Sequence, residues 1–336
     1  MLFCGDLTIL LLGLAFHCFV IENRKSLCHS LGRPSRSDFV QLEFPKGVHF
    51  GKGMLNDSTN TFHADMLFSA LYIEALKIGK ESLFYEMADK RELLFSDAFP
   101  YMGETYFLPK PMIYVEPSKK GNSSEKKFFK KLQYLPAEEL DAFLSGNLTA
   151  SDCSMDGFGH YDTRVLASIR GEEESMPYYV GTFYFEKGNG LYIIVSYETQ
   201  EAKILMEELM ESLSYTGIGG KKTSGLGKFI FRSGKTNAVL EGLLKKKTNR
   251  YMLLSGALPQ DQELDAVLEK ASYGLEKRSG FVSSENYADE QQKKNDLYLL
   301  KAGSCFETQF EGDIYDVGCG GSHPVYRYAK ALFVGV

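Results

Sequence analysis

Apolar residues recur along the chain with the periods of strands and helices. Residues 39–44 alternate between apolar and polar side chains, which predicts a strand with one buried face. Residues 64–78 carry apolar side chains at every third or fourth position and precede Gly79, which predicts an amphipathic helix. Residues 201–214 show the same pattern and predict a second helix.

Further strands are predicted around the second helix. Residues 180–185 and 191–197 are apolar runs on either side of a Lys-Gly-Asn-Gly turn, which predicts a β-hairpin. A glycine-rich loop at residues 217–228 follows the second helix and leads into a short strand at residues 229–232. The order strand, helix, hairpin, helix, strand is that of a βαββαβ ferredoxin-like unit.

The chain is therefore expected to be an α+β protein with two ferredoxin-like units. The first unit occupies residues 39–232 and includes a polar insertion at residues 115–178. The second, degenerate unit occupies residues 233–336 and includes a predicted helix at residues 261–275. Its strands are predicted near residues 251–255, 277–283, 296–301 and 329–334.

The first 38 residues do not match this organisation. Residues 7–21 are almost uninterrupted apolar sequence, but the run is shorter than the roughly 20 residues that a transmembrane helix needs. The positive segment that opens a signal peptide is missing, since Asp6 is the only charged residue before the run. Three interpretations stay open: an export signal, a membrane tether, and a translated segment outside the folded domain.

Charge is segregated along the chain. The 336 residues include 38 Lys and Arg against 44 Asp and Glu, and the net charge of −6 excludes a generally basic nucleic-acid-binding protein. Residues 219–250 nevertheless contain nine basic residues and one acidic residue, whereas residues 137–212 contain fifteen acidic and four basic residues. Because the basic stretch includes the glycine-rich loop, the sequence favours a phosphate-binding loop; a flexible connector with surface lysines is the alternative.

Motifs for nucleotide binding, metal binding and catalysis are weak. Leu226 stands where a Walker A motif requires lysine, so a nucleotide P-loop is excluded. The six cysteines form no C-x-x-C pair, and neither zinc nor a disulfide framework nor a cofactor is expected. His49 and His63 are candidates for the acid and base of metal-independent RNA cleavage, although local packing or a hydrogen bond to RNA is the favoured role.

Several ordered motifs resemble proteins of the RAMP superfamily. Over residues 39–336 they are similar to the family of fourth Csm subunits of type III-A CRISPR–Cas interference complexes. The motifs are VQLEFPKGVHFG (40–51), TFHADMLFSAL (61–71), LFSDAFP (94–100), LPKP (108–111), GGKKTSGLG (219–227), KRSGF (277–281) and YRYAKALF (326–333).

The resemblance implies a cytoplasmic, non-catalytic RNA-binding protein of antiviral defence, without cofactor or metal. Such a subunit holds the 5′ handle of the crRNA and joins the large polymerase/cyclase-type subunit to the backbone of RAMP subunits, so that it meets target RNA only indirectly. No membrane contact is implied. Members of the family start just before the first strand, so residues 1–38 are expected to be extraneous.

The candidate RNA-binding residues come from these motifs and from the basic stretch. Lysines and glycines of the loop suit phosphates, and Arg278 is expected to pair with phosphate as well. His49, Phe50 and Phe281 are expected to stack on or contact bases, and Lys110 lies in a stiff segment between two prolines. The full set is His49, Phe50, Gly51, Lys52, His63, Ser69, Lys110, Gly219, Gly220, Lys221, Lys222, Ser224, Gly225, Gly227, Lys228, Arg278 and Phe281.

Two other functions remain as alternatives at this point. One is a Cas6-like endoribonuclease that processes CRISPR repeat RNA without metal, with His49 or His63 as the general acid. The other is an exported or membrane-tethered protein that uses residues 7–21.

Overall fold

The chain folds into a mixed α/β structure built on antiparallel sheets. The computed structural model describes residues 36–118, 123–168, 176–235, 237–284 and 286–336. The helices are Ala64–Lys77 (α1), Glu81–Asp89 (α2), Ser123–Lys131 (α3), Leu140–Leu144 (α4), Gln200–Thr216 (α5), Ala238–Lys245 (α6) and Leu264–Leu268 (α7).

Eighteen strands are numbered here in chain order among the described residues. The first ten are Arg36–Glu43 (β1), Phe50–Gly51 (β2), Ser58–Thr59 (β3), Leu93–Phe95 (β4), Phe99–Met102 (β5), Thr105–Pro109 (β6), Tyr134–Pro136 (β7), Gly159–Ser168 (β8), Met176–Phe185 (β9) and Asn189–Tyr197 (β10). The others are Ile230–Lys235 (β11), Tyr251–Leu253 (β12), Leu275–Arg278 (β13), Leu297–Leu300 (β14), Cys305–Phe306 (β15), Gly312–Asp316 (β16), Tyr326–Lys330 (β17) and Phe333–Gly335 (β18).

The largest sheet has the strand order β11-β1-β10-β5-β6-β7, and β4 also pairs with β10. Strand β1 of this sheet is buried on both faces, whereas the sequence predicted burial on one face only. Val40 and Leu42 pack into one apolar core with α1 and α5, whereas Phe39 packs into a second core on the other side. The buried Gln41 side chain is tolerated because it donates a 2.7 Å hydrogen bond to the Tyr106 hydroxyl.

The predicted hairpin of residues 180–185 and 191–197 is wrong, although both strands exist. In the described residues β9 pairs with β8, and β10 pairs with β4 and β5. The strand–helix–strand–strand–helix–strand order is still present, but β4 and β5 take the place that we predicted for residues 180–185. The division into two ferredoxin-like units and the boundary at residue 232 stay predictions.

The insertion at residues 115–178 is not a wholly polar appendage. Strand β7 pairs with β6 at the edge of the largest sheet, and Leu135, Leu140 and Cys153 are buried in the second core. Strand β8 forms a long antiparallel ribbon with β9, from the pair Gly159 and Phe185 to the pair Ser168 and Met176. This region therefore contributes both to the core and to the surface.

The C-terminal region departs from its prediction in three elements, of which one is the strand predicted near residues 277–283: it is Leu275–Arg278. The helix predicted at residues 261–275 is only Leu264–Leu268, because Val267 alone is buried there and no apolar stripe continues. The strand predicted near residues 329–334 is two strands, β17 and β18, which pair with β16 and β12 respectively. Strand β12 lies between β15 and β18 in a three-stranded sheet.

The boundary predicted after residue 38 lies too late, because β1 begins at Arg36. Asp38 accepts hydrogen bonds from the Lys203 ammonium at 2.6 Å and from the Tyr197 hydroxyl at 3.1 Å. It therefore belongs to the folded part of the chain. The apolar run at residues 7–21 lies outside the described residues, and within the described residues no helix has the length and apolarity to cross a membrane.

Candidate nucleic-acid interface

The glycine-rich loop begins where α5 ends, at Gly217, and folds back on itself. The Ile218 N–H donates to the Gly227 carbonyl at 2.9 Å, which closes the loop at its base. Gly227 has φ +75°, and a Cβ there would overlap the Ile218 carbonyl oxygen. Only glycine fits this position, so the closed shape of the loop is dictated by its sequence.

A second loop, residues 47–53, follows β1 and packs against the glycine-rich loop. The N–H groups of Gly220 and Gly227 donate to the carbonyls of His49 and Gly47 at 2.9 and 3.0 Å. A Cβ on Gly219 would lie 2.7 Å from the His49 carbonyl oxygen. These glycines therefore permit close contact between two loops, a role that the sequence assigned to the approach of phosphate.

Lysines surround this pair of loops. Lys221 takes the left-handed conformation at φ +57°, and its ammonium lies 4.6 Å from the centroid of the Tyr178 ring in β9. Lys222 is half-buried in a turn of 3₁₀ helix, and Lys52 and Lys228 are exposed. A polyanion that contacts the loops would meet several cations held by a rigid backbone.

The proposed contacts of His49 and Phe50 with bases are wrong, because both rings are buried. His49 is 5% exposed, and its Nδ1 lies 2.6 Å from the Gly181 carbonyl oxygen. Phe50 is 1% exposed and packs edge-on against Phe44 and Phe62. The two rings anchor the second loop to the body of the protein and cannot stack on RNA.

His63 lies at a separate cluster, at the N-terminus of α1. Its Nδ1 is 2.8 Å from Asp97 Oδ2, and its Nε2 is 3.4 Å from Glu276 Oε1. Burial lowers the pKa of His63, but the two carboxylates outweigh it and raise the pKa to about 10. The imidazole is therefore a cation at neutral pH, which makes it a poor general base.

Arg278 has a protein partner in the position where a phosphate was predicted. Its guanidinium donates to both carboxylate oxygens of Asp65, at 3.0 Å from Nε and 2.8 Å from Nη2. Asp65 is 3% exposed and also accepts from Arg327. The arginine is committed to a buried ion network, because an unpaired buried carboxylate would be costly.

The remaining candidates lie apart from the loops. Lys110 donates to the Phe129 carbonyl at 2.7 Å, and burial lowers the pKa of its ammonium. Ser69 is half-buried on α1. Phe281 is 56% exposed just after β13. The structure thus brings together Gly51, Lys52, Gly219, Gly220, Lys221, Lys222, Ser224, Gly225, Gly227 and Lys228 around one pair of loops.

Sequence reasoning missed the β8–β9 ribbon as part of this surface. Gly181 of the ribbon holds His49, and Tyr178 lies under Lys221. Tyr161, Val165 and Tyr179 are each more than half exposed along it. Residues 159–168 have no regular alternation of apolar and polar residues, so the sequence offered little signal for this strand. Among the described residues, no cluster of His, Cys, Asp or Glu is suited to hold a metal ion.

Comparisons with solved structures show which known fold this architecture shares. The structure matches a crystal structure of a Csm3–Csm4 subcomplex of the type III-A CRISPR–Cas interference complex with a TM-score of 0.61 and 16% identity, over 89% of this chain and 99% of that chain. It matches a crystal structure of a Csm1–Csm4 cassette in complex with cA4 with a TM-score of 0.56 and 20% identity, over 89% of this chain and 98% of that chain. At these identities the likeness shows the fold.

Sequence comparisons identify the family. The family model for the CRISPR Csm4 C-terminal domain matches residues 246–336. The chain is 38% identical over 303 residues to the CRISPR system Cms protein Csm4 of Mycobacterium tuberculosis, covering 89% of this chain and 98% of the relative. It is 35% identical over 297 residues to the corresponding protein of Streptococcus thermophilus, covering 86% and 95%. The chain belongs to the Csm4 family.

Proposed function

We propose that this chain is the non-catalytic subunit of a type III-A CRISPR interference complex that holds the 5′ handle of the crRNA. The observation that carries the proposal is the pair of interlocked loops with Lys52, Lys221, Lys222 and Lys228 around them. Phosphates need converging donors and cations on a backbone that does not rearrange, and loops fixed by glycine contacts provide this. The net charge of −6 leaves this local basic surface as the part suited to RNA.

The proposed partners follow from the relatives. Csm4 chains in solved structures occur in a Csm3–Csm4 subcomplex and in Csm1–Csm4 cassettes. We extend this to the present chain, as a link between the large polymerase/cyclase-type subunit and the backbone of RAMP subunits. The proposal includes the two ferredoxin-like units, for which the strand order β11-β1-β10-β5 with α1 and α5 in one core is the support in the first unit.

The state of the two histidines supports a non-catalytic role. RNA cleavage without metal needs an acid and a base that reach the substrate and titrate near neutral pH. His49 is buried against the Gly181 carbonyl. Its counterpart His63 is paired with two carboxylates, which raise its pKa to about 10. Neither residue meets both requirements of the alternative endoribonuclease.

The test is the double substitution Lys221→Ala and Lys222→Ala in the full chain. We expect weaker binding of handle RNA, and a slope of log K against log salt that is shallower by about 0.7 for each lost phosphate contact. The matched control is Lys245→Ala with Lys247→Ala, which removes the same charge from an exposed part of the basic stretch outside the loop. Equal affinity of the loop variant and the parent, or a loss confined to one handle sequence, would contradict the proposal.

A further inference from the structure

We propose that the ribbon formed by β13 and β14 presents a stacking platform for unpaired bases of RNA. The platform consists of Leu275 and Lys277 of β13, Tyr298 of β14, and the flanking residues Tyr273 and Phe281. This inference rests on the proposed function, because it adds a second contact surface for the same RNA.

Solvent exposure alternates from residue 273 to residue 281, a segment that contains β13 and its flanking residues. Residues 273, 275, 277, 279 and 281 are exposed, and residues 274, 276, 278 and 280 between them are half-buried. Tyr273, Leu275 and Phe281 are 45%, 55% and 56% exposed. Tyr298, also 55% exposed, lies directly across from Lys277, so the two share this face.

The opposite face explains why these residues point outward. Arg278 contacts Asp65, and Glu276 contacts His63, both at the N-terminus of α1. Because successive side chains of a strand point to opposite faces, these ion pairs fix the register of the ribbon. As a result, the rings of Tyr273, Phe281 and Tyr298 are exposed to solvent and add little apolar burial to the stability of the fold.

Charge on the ribbon favours a polyanion. The exposed charged residues beside this face are Lys277, Lys293 and Asp296, because Arg278 lies on the opposite face with Asp65. Lys277 and Lys293 both contact the single carboxylate of Asp296, at 2.7 and 3.3 Å, so this cluster keeps a net positive charge. Aromatic rings interleaved with lysines are the composition of surfaces that bind single-stranded nucleic acid by stacking.

The same features disfavour a protein strand as the occupant. Strand β13 pairs with β14 alone among the described strands, so one edge is open. Lysine on an edge strand is a common device by which sheets avoid pairing with another strand, and Lys277 lies at the middle of this one. The rings on the face, rather than the backbone of the edge, are therefore the binding feature.

The platform is connected to the glycine-rich loop by a short series of contacts. A Cβ on Gly219 would touch the Phe50 ring, and the Phe50 and Phe62 rings are 5.2 Å apart. His63, the next residue, contacts Glu276 of the ribbon. These contacts run through the protein interior, since Phe50 and Phe62 are buried, and they fix the position of the ribbon relative to the loop.

The experiment compares the full chain with Phe281→Ala combined with Tyr298→Ala, using fluorescein-labelled single-stranded crRNA and fluorescence anisotropy. Loss of stacking lowers affinity about tenfold for each ring that carries a base. The salt slope should stay at the parent value, because no phosphate contact is removed. The single variant Tyr298→Phe should bind the RNA with the affinity of the parent chain, since the aromatic ring remains. The matched control is Tyr114→Ala, which removes a tyrosine that is 88% exposed elsewhere.

The outcomes separate this inference from the proposed function. Parent-like RNA affinity in the ribbon variant, together with weak binding by the Lys221 and Lys222 variant, overturns the platform and leaves the proposed function intact. Parent-like affinity in both variants overturns the proposed function. A ribbon variant that binds RNA normally but no longer assembles with a protein subunit identifies a protein interface and also overturns the platform. Far-ultraviolet circular dichroism of each variant verifies the fold.

Discussion

Arg278→Ala should destabilise the fold and leave RNA binding nearly unchanged. The residue belongs to a motif that suggests phosphate binding, but its guanidinium makes two hydrogen bonds to Asp65. The carboxylate is 3% exposed and the arginine side chain 19% exposed. Removing the arginine leaves a buried carboxylate with Arg327 as its remaining charged partner.

The size of the effect follows from the pKa of Asp65. Burial raises this pKa, and Arg278 and Arg327 more than offset that effect, so the pKa falls from 3.8 to about 2. At about 1.4 kcal/mol per pH unit, the environment stabilises the charged form by about 2.5 kcal/mol. Breaking a buried pair costs about 3 to 5 kcal/mol. Because Arg327 stays, we expect the lower end, about 3 kcal/mol of the free energy of unfolding.

The assay is urea unfolding of the full chain, with RNA affinity measured on the same samples. Lys90→Ala is the matched control: it removes one cation outside the loops and the ribbon, and its ion pair with Glu86 is so exposed that its loss should barely change the stability. Arg278→Lys should also lose stability, because an ammonium cannot make the two-pronged contact. A stable Arg278→Ala variant with weakened RNA binding and a shallower salt slope would refute the reasoning and restore the phosphate role.

Two further predictions concern the loop and the histidine cluster. Gly227→Ala should weaken the binding of handle RNA in the anisotropy assay, because a Cβ at φ +75° overlaps the Ile218 carbonyl oxygen and opens the loop. The control is Gly242→Ala, which lies in open space on α6. It should leave RNA affinity unchanged, and in urea unfolding it should be neutral or stabilising by about 1 kcal/mol. The raised pKa of His63 implies stability that is fully present below pH 6.5 and is lost as pH rises toward 10. His63→Gln should flatten that pH dependence in urea unfolding, and an unchanged profile would exclude the ion pair with Asp97 as its source.

Local periodicity was sufficient to predict the elements that bury one continuous stripe. Helix α1 was predicted at residues 64–78 and is Ala64–Lys77, and helix α5 was predicted at 201–214 and is Gln200–Thr216. The pairing of strands was not predictable in this way. Residues 180–185 and 191–197 are adjacent in sequence, yet β9 pairs with the preceding strand β8, and β10 pairs with β4 and β5, which lie much earlier in the chain. An apolar run specifies a strand but not its partner.

The site shows the same limit at the level of single residues. Glycine spacing located the loop correctly, because close approach of backbones requires glycine whatever the ligand. Residue type did not reveal burial: Phe50 and Phe281 are equally suited to stacking by composition, but they are 1% and 56% exposed. His49 was a candidate for RNA contact because it flanks the first loop and belongs to a family-like motif, whereas its ring contacts the Gly181 carbonyl of β9. A motif shared with a known family therefore contains buried residues that support a surface as well as exposed residues that lie on it.

The ion network at the start of α1 connects the exposed β13–β14 ribbon to the buried core of the protein. Asp97 accepts hydrogen bonds from the N–H groups of Ala64 and Gly256, and so ties the start of α1 to a segment next to β12. Asp65 ties the start of α1 to β13, because it accepts hydrogen bonds from Arg278. Because these contacts join residues more than 150 positions apart, they set the position of the β13–β14 ribbon relative to the body that carries the glycine-rich loop. Buried carboxylates can therefore shape a basic surface indirectly, because the ion pair between Asp65 and Arg278 fixes the strand on which Lys277 is exposed.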